Sequence, residues 1–363
     1  MKVLHVYKTY LPDDFTGVPR VIHSIAEGTA SKGIESHVFA LTRQPDESSL
    51  KVGEHLVHRV RRNFQIASTD ISFRAFRSFK QHSETADVIH YHYPWPFGDL
   101  LWLHSGARKP SVVTYHSDIV KQRTLSKLYA PLRDHFLNRV DAIVATSPNY
   151  LVSSTVLSHL SKPVDVIPIG IEPRPTVNAV VRQSWQRRLA SDFFLFVGAA
   201  RYYKGIDFLL QAAALSGLPV VIAGEADDLQ RAQLPDNVVA VGKITDEDKE
   251  ALLDLCRGFV FPSHLRSEAF GVALLEAARA GKPMISCEIG TGTTYVNVDG
   301  VTGIVVPPQS GAHIAQAMQT LASDAALAAE MGKRAKERYA SLFTQDKMAE
   351  AYAGLYRRLT DVD

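Results

Sequence analysis

The sequence has few cysteines and no long apolar run. Cys256 and Cys287 are the only cysteines among 363 residues, and they lie in apolar stretches without CxxC spacing. A disulfide framework and a thiolate metal site are therefore not expected, and both side chains should be buried. No apolar run approaches the roughly 18 residues of a membrane-spanning helix, and the apolar stretch at the amino terminus is too short for a signal peptide. These absences predict a cytoplasmic protein.

Neither sign of charge is in large excess, because the formal net charge is only +2. The distribution is less even, since residues 1–170 carry 20 Lys and Arg against 15 Asp and Glu, and 12 of the 14 histidines. A mildly basic first half suits an anionic partner or surface, although such an excess is often only a solvated face. The GxGxxG fingerprint is absent as well, which argues against a dinucleotide-dependent oxidoreductase.

Short β-branched runs alternate with helical periodicity along the whole chain. With 46% hydrophobic and 21% charged residues the chain is typical of globular proteins, and its length favours two domains with a cleft between them as the working site. The alternation predicts two doubly wound α/β domains with parallel sheets. The predicted strands are Val3–Tyr7, His37–Leu41, Val88–His92, Val112–Tyr115, Ala142–Thr146, Val164–Ile167, Phe193–Val197, Val220–Ala223, Val238–Val241, Phe259–Phe261, Met284–Ser286 and Ile304–Val306.

Three prolines and a glycine at residues 168–175 interrupt both periodicities. The boundary is therefore placed there, with residues 1–170 as the first domain and 171–344 as the second. A last helix at about residues 345–363 carries an apolar stripe and is expected to pack back on the first domain.

Two strand ends in the first half carry candidate ligand contacts. Gly17 stands before a helix, where a glycine lets the backbone approach a phosphate, although a single glycine there is more often only a turn. Tyr115, His116 and Asp118 follow a later strand. An imidazole at the carboxyl edge of a sheet can orient a hydroxyl or act in acid–base chemistry, although a single histidine is usually structural.

Basic residues join a strand to a helix in the second half. Arg201 and Lys204 can both face a phosphate there, the arginine through its fork and the lysine as a point charge. The competing interpretation is an arginine–lysine pair on a solvated loop.

Two glutamates form the most specific element. Glu268 and Glu276 lie eight positions apart, a little over two helical turns, and Phe270, Gly271 and Val272 mark the helix start between them. Glu268 would precede the helix and meet ligand hydroxyls, whereas Glu276 would lie deeper on a similar face. Two solvated carboxylates on an ordinary amphipathic helix are the alternative, which the mostly apolar neighbours disfavour.

Two further strand-end loops are suited to a ligand. Gly292, Thr293 and Thr294 form a small-residue loop whose backbone amides can cradle an anion. Lys243 and Ile244 follow another strand, where a nucleobase can be accommodated.

Metal binding is not predicted. The DxD at residues 246–248 opens a helical run and is interpreted as amino-terminal capping. His90 and His92 would share one strand face, but they have no obvious third ligand.

These blocks resemble the retaining glycosyltransferases of the GT-B fold, in the large family that includes many bacterial polysaccharide and lipopolysaccharide mannosyltransferases. The resemblance covers nearly the whole chain and rests on the Gly17 loop, residues 115–120, residues 202–205, the two glutamates and residues 288–293. It implies two Rossmann-like domains facing an interdomain cleft. It also implies metal-independent catalysis without a cofactor, since a nucleotide-diphosphate sugar is the co-substrate.

The resemblance assigns the donor mainly to the second domain and the acceptor mainly to the first. It implies that Arg201 and Lys204 contact the donor diphosphate, Glu276 the ribose and Glu268 the hydroxyls of the transferred sugar, while His116 approaches that sugar from the first domain. The remaining implied positions are Gly17, Lys243, Ile244, Phe270, Gly271, Val272, Gly292, Thr293 and Thr294 for the donor, and Tyr115 and Asp118 on the acceptor side.

Two positions depart from the family pattern. Gly17 is followed by Val18 where members often carry a second glycine, so the phosphate contact is expected to be narrower. Ala199 occupies the usual place of an arginine, and Arg201 is assigned that role instead.

The resemblance implies transfer of mannose from GDP-mannose, with retention, to a lipid-linked glycan in O-antigen-type cell-surface polysaccharide synthesis, and no nucleic-acid partner. The alternatives are a GDP-rhamnose or other nucleotide-sugar transferase, an epimerase of the same architecture, and a non-catalytic nucleotide-sugar-binding subunit. A helix at Phe73–Lys80 with one phenylalanine stripe and one basic stripe would suit peripheral contact with the inner membrane face. The favoured alternative for that helix is core packing with a solvated basic face.

Overall fold

The computed structural model describes residues 1–44, 49–67, 69–106, 109–119, 123–189, 191–225 and 234–360. The chain divides into two compact units, one formed by Met1–Glu172 with Gln345–Asp363 and the other by Pro173–Thr344. Residues 361–363 of the predicted last helix lie outside the described residues.

An eight-stranded sheet, parallel except for one edge strand, is the centre of the first unit. Its strands are β1 (Lys2–Val6), β2 (Glu35–Thr42), β3 (Ser49–Val52), β4 (His55–Arg61), β7 (Val88–Tyr93), β8 (Ser111–Tyr115), β9 (Ala142–Ala145) and β10 (Asp165–Val166), and a separate hairpin is formed by β5 (Phe64–Ile66) and β6 (Thr69–Ile71). The order is β10-β9-β8-β7-β1-β2-β4-β3. The strand order therefore reverses at β1 and β7, and open parallel sheets bind ligands beside the carboxyl ends of strands at such a switch point.

Helices cover both faces of this sheet, so its central strands are buried on both sides; all six residues of β7, for example, are buried. The helices of the unit are α1 (Val18–Ala30), α2 (Phe73–Thr85), α3 (Pro96–Ser105), α4 (Arg123–Arg139), α5 (Pro148–Ser153) and α13 (Gln345–Thr360). The last helix, α13, packs on α1, and Lys32, two residues after the end of α1, forms ion pairs of 2.8 Å with Asp346 and 2.9 Å with Glu350.

The second unit contains a six-stranded parallel sheet in the order β13-β12-β11-β14-β15-β16. Its strands are β11 (Phe194–Val197), β12 (Val220–Ala223), β13 (Val238–Gly242), β14 (Gly258–Phe261), β15 (Met284–Cys287) and β16 (Gly303–Val306). Its helices are α6 (Ala179–Arg188), α7 (Ile206–Ser216), α8 (Asp246–Leu255), α9 (Val272–Arg279), α10 (Thr293–Val296), α11 (Gly311–Ser323) and α12 (Ala325–Leu342), with a 3₁₀ turn at Tyr202–Lys204. The switch point of this sheet lies between β11 and β14.

The predicted pair of doubly wound α/β domains is confirmed, and each predicted strand ends within two residues of its expected bounds. Both cysteines are buried and free. The DxD segment caps α8, where Thr245 and Asp248 form a reciprocal capping box. Among the described residues, no helix combines the length and apolar character needed to span a bilayer.

The favoured core packing of α2 applies to only part of its phenylalanine stripe. Phe79 is fully buried and Phe76 is half-buried, but Phe73, the first residue of the helix, is 66% exposed. The basic residues of α2 are exposed, as expected for a solvated face.

Candidate active site

An ion pair joins the two loops that flank the switch point of the second unit. Lys204 Nζ lies 2.5 Å from Glu268 Oε2, and the two side chains are only 15% and 12% exposed. Lys204 ends the turn that follows β11, whereas Glu268 lies on the loop after β14, where Ser263 Oγ also donates to it over 3.4 Å. The predicted lysine and glutamate are therefore brought together, although 64 residues separate them.

The lysine loop is held in place by a close backbone approach. Gly205 has a φ of 71°, and a Cβ at this position would lie 2.2 Å from the carbonyl oxygen of Pro262. The backbone N–H of His264 donates to the Tyr203 carbonyl over 3.0 Å. Only glycine allows the two loops to approach this closely, and Lys204 is aimed by that approach.

The second predicted glutamate has a buried partner that sequence reasoning missed. Glu276 Oε1 on α9 lies 2.8 Å from Lys249 Nζ on α8, and the side chains are 11% and 9% exposed. Lys249 also contacts Asp246 over 2.7 Å, one turn earlier on its own helix. The (i, i+3) spacing from Asp246 was the only signal in the sequence, and it predicts an ordinary surface pair.

The loops after β14 and β15 pack tightly against each other. The N–H of Gly292 donates to the Ala269 carbonyl over 2.8 Å, and a Cβ on Gly292 would lie 2.6 Å from the ring of Phe270. Gly271, with a φ of 86°, is the residue before α9. Thr293, which begins α10 and is buried, lies with its hydroxyl 3.3 Å from that of Thr291.

The other predicted donor positions lie on the loops and helix starts around this group, and the Arg201 carbonyl accepts from the Lys204 backbone N–H over 2.8 Å. Arg201 precedes the 3₁₀ turn and has an exposed side chain. The Lys243 side chain is 81% exposed and lies 3.4 Å from the equally peripheral Glu225, and Ile244 is half-buried. Val272 is the half-buried first residue of α9, and Thr294 is half-buried in α10.

In the first unit, the loop after β8 is held by its own side chains. The Tyr115 hydroxyl donates to Asp118 Oδ1 over 2.8 Å, and the Ser154 hydroxyl donates to the same oxygen over 2.7 Å. Burial, together with the nearby Asp118 carboxylate, raises the pKa of Tyr115 well above its usual value. Tyr115 and Asp118 thus fix the backbone beside His116. Val120, part of the same motif, lies outside the described residues.

His116 is one end of a chain of buried imidazoles. Its Nε2 lies 2.9 Å from His92 Nδ1, and His92 Nε2 lies 3.1 Å from His5 Nδ1. His90 packs beside them and contacts the hydroxyls of Thr114 and Tyr356, both over 2.7 Å. Burial lowers the pKa values of His5 and His116 to about 3. It also holds those of His90 and His92 well below the ordinary value, so the four rings are neutral at pH 7.

The expectation that His90 and His92 have no obvious third ligand is wrong. His5 on β1 supplies a third imidazole, and ligand atoms of the three residues lie within 4.8 Å of one another. No local pattern in the sequence indicated that His5 lies beside these two histidines, because β1 pairs with β7 across more than 80 residues. Three imidazoles can hold a transition metal. The ring nitrogens of His90 and His92 are, however, already paired with Thr114, Tyr356, His5 and His116.

Gly17 ends the long loop after β1. Its φ is 54°, and a Cβ there would meet nothing within 4 Å, so the backbone is open on that side. The loop before it turns through Asp14, whose carboxylate accepts from the backbone and hydroxyl of Thr16 over 2.9 and 2.7 Å. The ligand contact predicted for Gly17 stays a prediction, and among the described contacts Gly17 touches no other candidate residue.

Two parallel-sheet units, each with its candidate residues at the carboxyl ends of the strands, define the class of two-domain Rossmann-like α/β proteins. Residues 15–174 match the family described as Glycosyltransferase Family 4, and residues 178–338 match Glycosyl transferases group 1. The chain is 46% identical over 368 residues to O-antigen chain mannosyltransferase C of Escherichia coli, covering 99% of each chain. It is 48% identical over 355 residues to D-rhamnosyltransferase WbpZ of Pseudomonas aeruginosa, covering 95% of this chain and 92% of the relative.

The chain therefore belongs to the group 1 glycosyltransferases and is a glycosyltransferase. Solved structures agree on the fold. Sucrose-phosphate synthase from Thermosynechococcus elongatus superposes with a TM-score of 0.80 at 21% identity over 100% of both chains. Anabaena HepE in complex with UDP and glucose gives 0.75 at 17% identity over 98% of this chain and 99% of that one. The predicted GT-B fold is confirmed.

Proposed function

We propose that this protein transfers a hexose with retention of configuration, from a GDP-linked donor to a lipid-linked glycan of O-antigen type. Mannose from GDP-mannose is the favoured donor, and GDP-rhamnose is the alternative. The Lys204–Glu268 pair at the switch point of the second unit carries the proposal, because a cation that can bind phosphate lies beside a carboxylate that can accept from sugar hydroxyls. Support for the sugar comes from the two relatives, which are named for mannosyl and rhamnosyl transfer.

The geometry of Lys204 suits a leaving diphosphate. Its ammonium has three N–H donors, and Glu268 uses one of them. The remaining donors are available for phosphate oxygens, so the same lysine would bind the diphosphate while it holds Glu268 toward the sugar hydroxyls. The exposed Arg201 would add a second cation from the start of the same turn.

In the proposed step, the bond between the anomeric carbon and the diphosphate oxygen breaks while the acceptor hydroxyl oxygen bonds to the same face of that carbon. The departing phosphate oxygen takes the acceptor proton. Lys204 and Arg201 stabilise the negative charge that accumulates on the diphosphate, and no metal or other cofactor is needed for this step.

Donor binding with a matched pair of lysine variants tests the proposal. Thermal unfolding would be followed with GDP-mannose, GDP-rhamnose, UDP-glucose and ADP-glucose, each with and without EDTA. A donor at about 100 times its Kd adds roughly 2.7 kcal/mol of stability. We expect stabilisation by the GDP-sugars, unchanged by EDTA, in the wild type and in Lys333→Met, a substitution at a 67% exposed site of α12, and its loss in Lys204→Met. Stabilisation by UDP- or ADP-glucose alone, or equal effects of the two substitutions, would contradict the proposal.

A separate hypothesis concerns where the protein acts. We propose peripheral contact with the inner face of the cytoplasmic membrane, through Phe73 at 66% exposure, Ile66 at 56%, and the exposed basic residues of α2. Sedimentation with vesicles containing anionic lipid should recover the wild type and lose Phe73→Ser. Val180→Ser, at a 77% exposed site of the second unit, is the control. The membrane hypothesis would be contradicted if all three proteins were recovered equally with anionic vesicles, or if the wild type were recovered equally with neutral and anionic vesicles.

A further inference from the structure

The His5–His92–His116 chain runs from the interior of the first unit to the end of β8. Its two contacts, of 3.1 and 2.9 Å, join ring nitrogens in sequence, and all three rings are less than 10% exposed. Each ring is neutral, so each carries one N–H and one lone pair. In such a chain the tautomer of one ring determines the tautomers of the others, because each contact needs one donor and one acceptor.

His5, at the inner end of the histidine chain, determines which nitrogen donates in each of the two contacts. His5 Nε2 is buried and has no hydrogen-bond partner among the described residues. A buried N–H without an acceptor is rarer in proteins than a buried lone pair without a donor, so the proton of His5 belongs on Nδ1. His5 Nδ1 then donates to His92 Nε2, and His92 Nδ1 donates to His116 Nε2. The one proton of His116 is consequently on Nδ1.

We propose that His5 and His92 are positioning residues that hold His116 in the Nδ1–H tautomer, so that His116 presents a single hydrogen-bond donor to a sugar oxygen. The opposite direction of donors would present a lone pair, which suits a general base. The tautomer is a property of the free protein, and only the sugar contact rests on the proposed function.

Neighbouring groups support the order of the chain. His90, whose ring centroid lies 4.2 Å from that of His92, is tied to Thr114 and Tyr356 and does not contact His116 by hydrogen bonding. The His92 ring is also packed edge-on against Tyr7, with 6.5 Å between centroids. The imidazole of His92 is therefore fixed on both sides and can orient the ring of His116.

Nitrogen NMR of histidine-labelled free protein at pH 7.5 tests the tautomer directly. We expect the His116 signals to show a protonated Nδ1 and an unprotonated Nε2. His92→Phe keeps an aromatic ring but has no ring nitrogens, so the proton of His116 should become distributed between its Nδ1 and Nε2. His92→Asn keeps an amide near the Nδ1 position and should restore the wild-type signals. A protonated Nε2 on wild-type His116, or unchanged signals in His92→Phe, would overturn the proposal.

Turnover supplies the second readout. Loss of one orienting hydrogen bond in His92→Phe should lower kcat about tenfold with little change in the donor KM, and His92→Asn should recover most of it. The control is His58→Asn, which removes an imidazole from another buried histidine pair, His37–His58 at 2.7 Å, and should leave kcat unchanged. Equal kcat values for wild type and His92→Phe would overturn the positioning role. If the wild type transfers no sugar, the proposed function fails, whereas the tautomer result still supports the chain.

Discussion

Acidification should destabilise the first unit steeply, because it contains four neutral, fully buried imidazoles. Burial lowers the pKa values of His5 and His116 to about 3 and those of His90 and His92 well below the ordinary 6.5. In the unfolded chain these groups take up protons as the pH falls through 6.5, while in the folded unit they do not. The unfolded state therefore binds more protons, and stability falls with decreasing pH.

The magnitude follows from proton linkage. Each such histidine contributes up to about 1.4 kcal/mol per pH unit, so the four together contribute roughly 5 kcal/mol between pH 6 and pH 5. Asp99 acts in the opposite direction, because burial raises its pKa well above the usual value and the folded unit keeps a proton that the unfolded chain loses. Asp99 therefore offsets the loss of stability that about one of these histidines contributes. These five groups together predict a net loss of about 3 to 4 kcal/mol, a large part of the 5–15 kcal/mol typical of a domain, and the lowered pKa values of His55, His58 and His82 add to this loss.

Urea unfolding at several pH values measures this loss. The chain has three tryptophans, and Trp185→Phe would leave Trp95 and Trp102, so that fluorescence reports on the first unit alone. Adding His92→Asn should reduce the pH dependence by about 1.4 kcal/mol per pH unit, whereas His159→Gln, at an exposed site, should not. A stability that is flat from pH 7 to pH 5, or an equal pH dependence in both variants, would refute the reasoning.

Two further predictions concern the second unit. Lys249→Met leaves the Glu276 carboxylate buried without its cation and should lower the free energy of unfolding by about 3–5 kcal/mol in urea titrations; a loss below about 1 kcal/mol would contradict the buried pair. Gly205→Ala forces a Cβ against the Pro262 carbonyl at 2.2 Å and should reduce both stability and donor binding, whereas Gly217→Ala, with a similar φ of 69° and open space, should cost only about 1 kcal/mol and leave donor binding unchanged. Equal thermal unfolding midpoints for the two alanine variants would show that the close approach does not matter.

Local patterns in the sequence predicted most of the fold. Buried strands such as Ala142–Ala145 and Val220–Ala223 are continuous apolar runs between helical segments, which is the signature of a parallel sheet. The edge strand Ser49–Val52 and its neighbour His55–Arg61 were missed. Both carry charged or imidazole side chains among their apolar residues, so their alternation is weak.

The candidate site was predicted as loops rather than as contacts. The strand-end positions of Lys204 and Glu268 followed from the alternation of strands and helices, and parallel pairing then brought them together. No local pattern indicated that Lys249 would be the partner of Glu276, or that His5 would approach His92. Both contacts join elements that are distant in sequence, and their residues appear individually as an ordinary helix lysine and an ordinary strand histidine.

The central claim is retaining transfer from a GDP-sugar, and product analysis tests it most directly. Purified protein would be incubated with GDP-α-mannose or GDP-α-rhamnose and a synthetic lipid-linked saccharide, and the anomeric configuration of the new linkage would be read from its one-bond carbon–proton coupling. We predict an α-linked product from at least one of these donors, with EDTA present and with transfer lost in Lys204→Met. A β-linked product, transfer only from UDP- or ADP-sugars, or undiminished transfer by Lys204→Met would contradict the account.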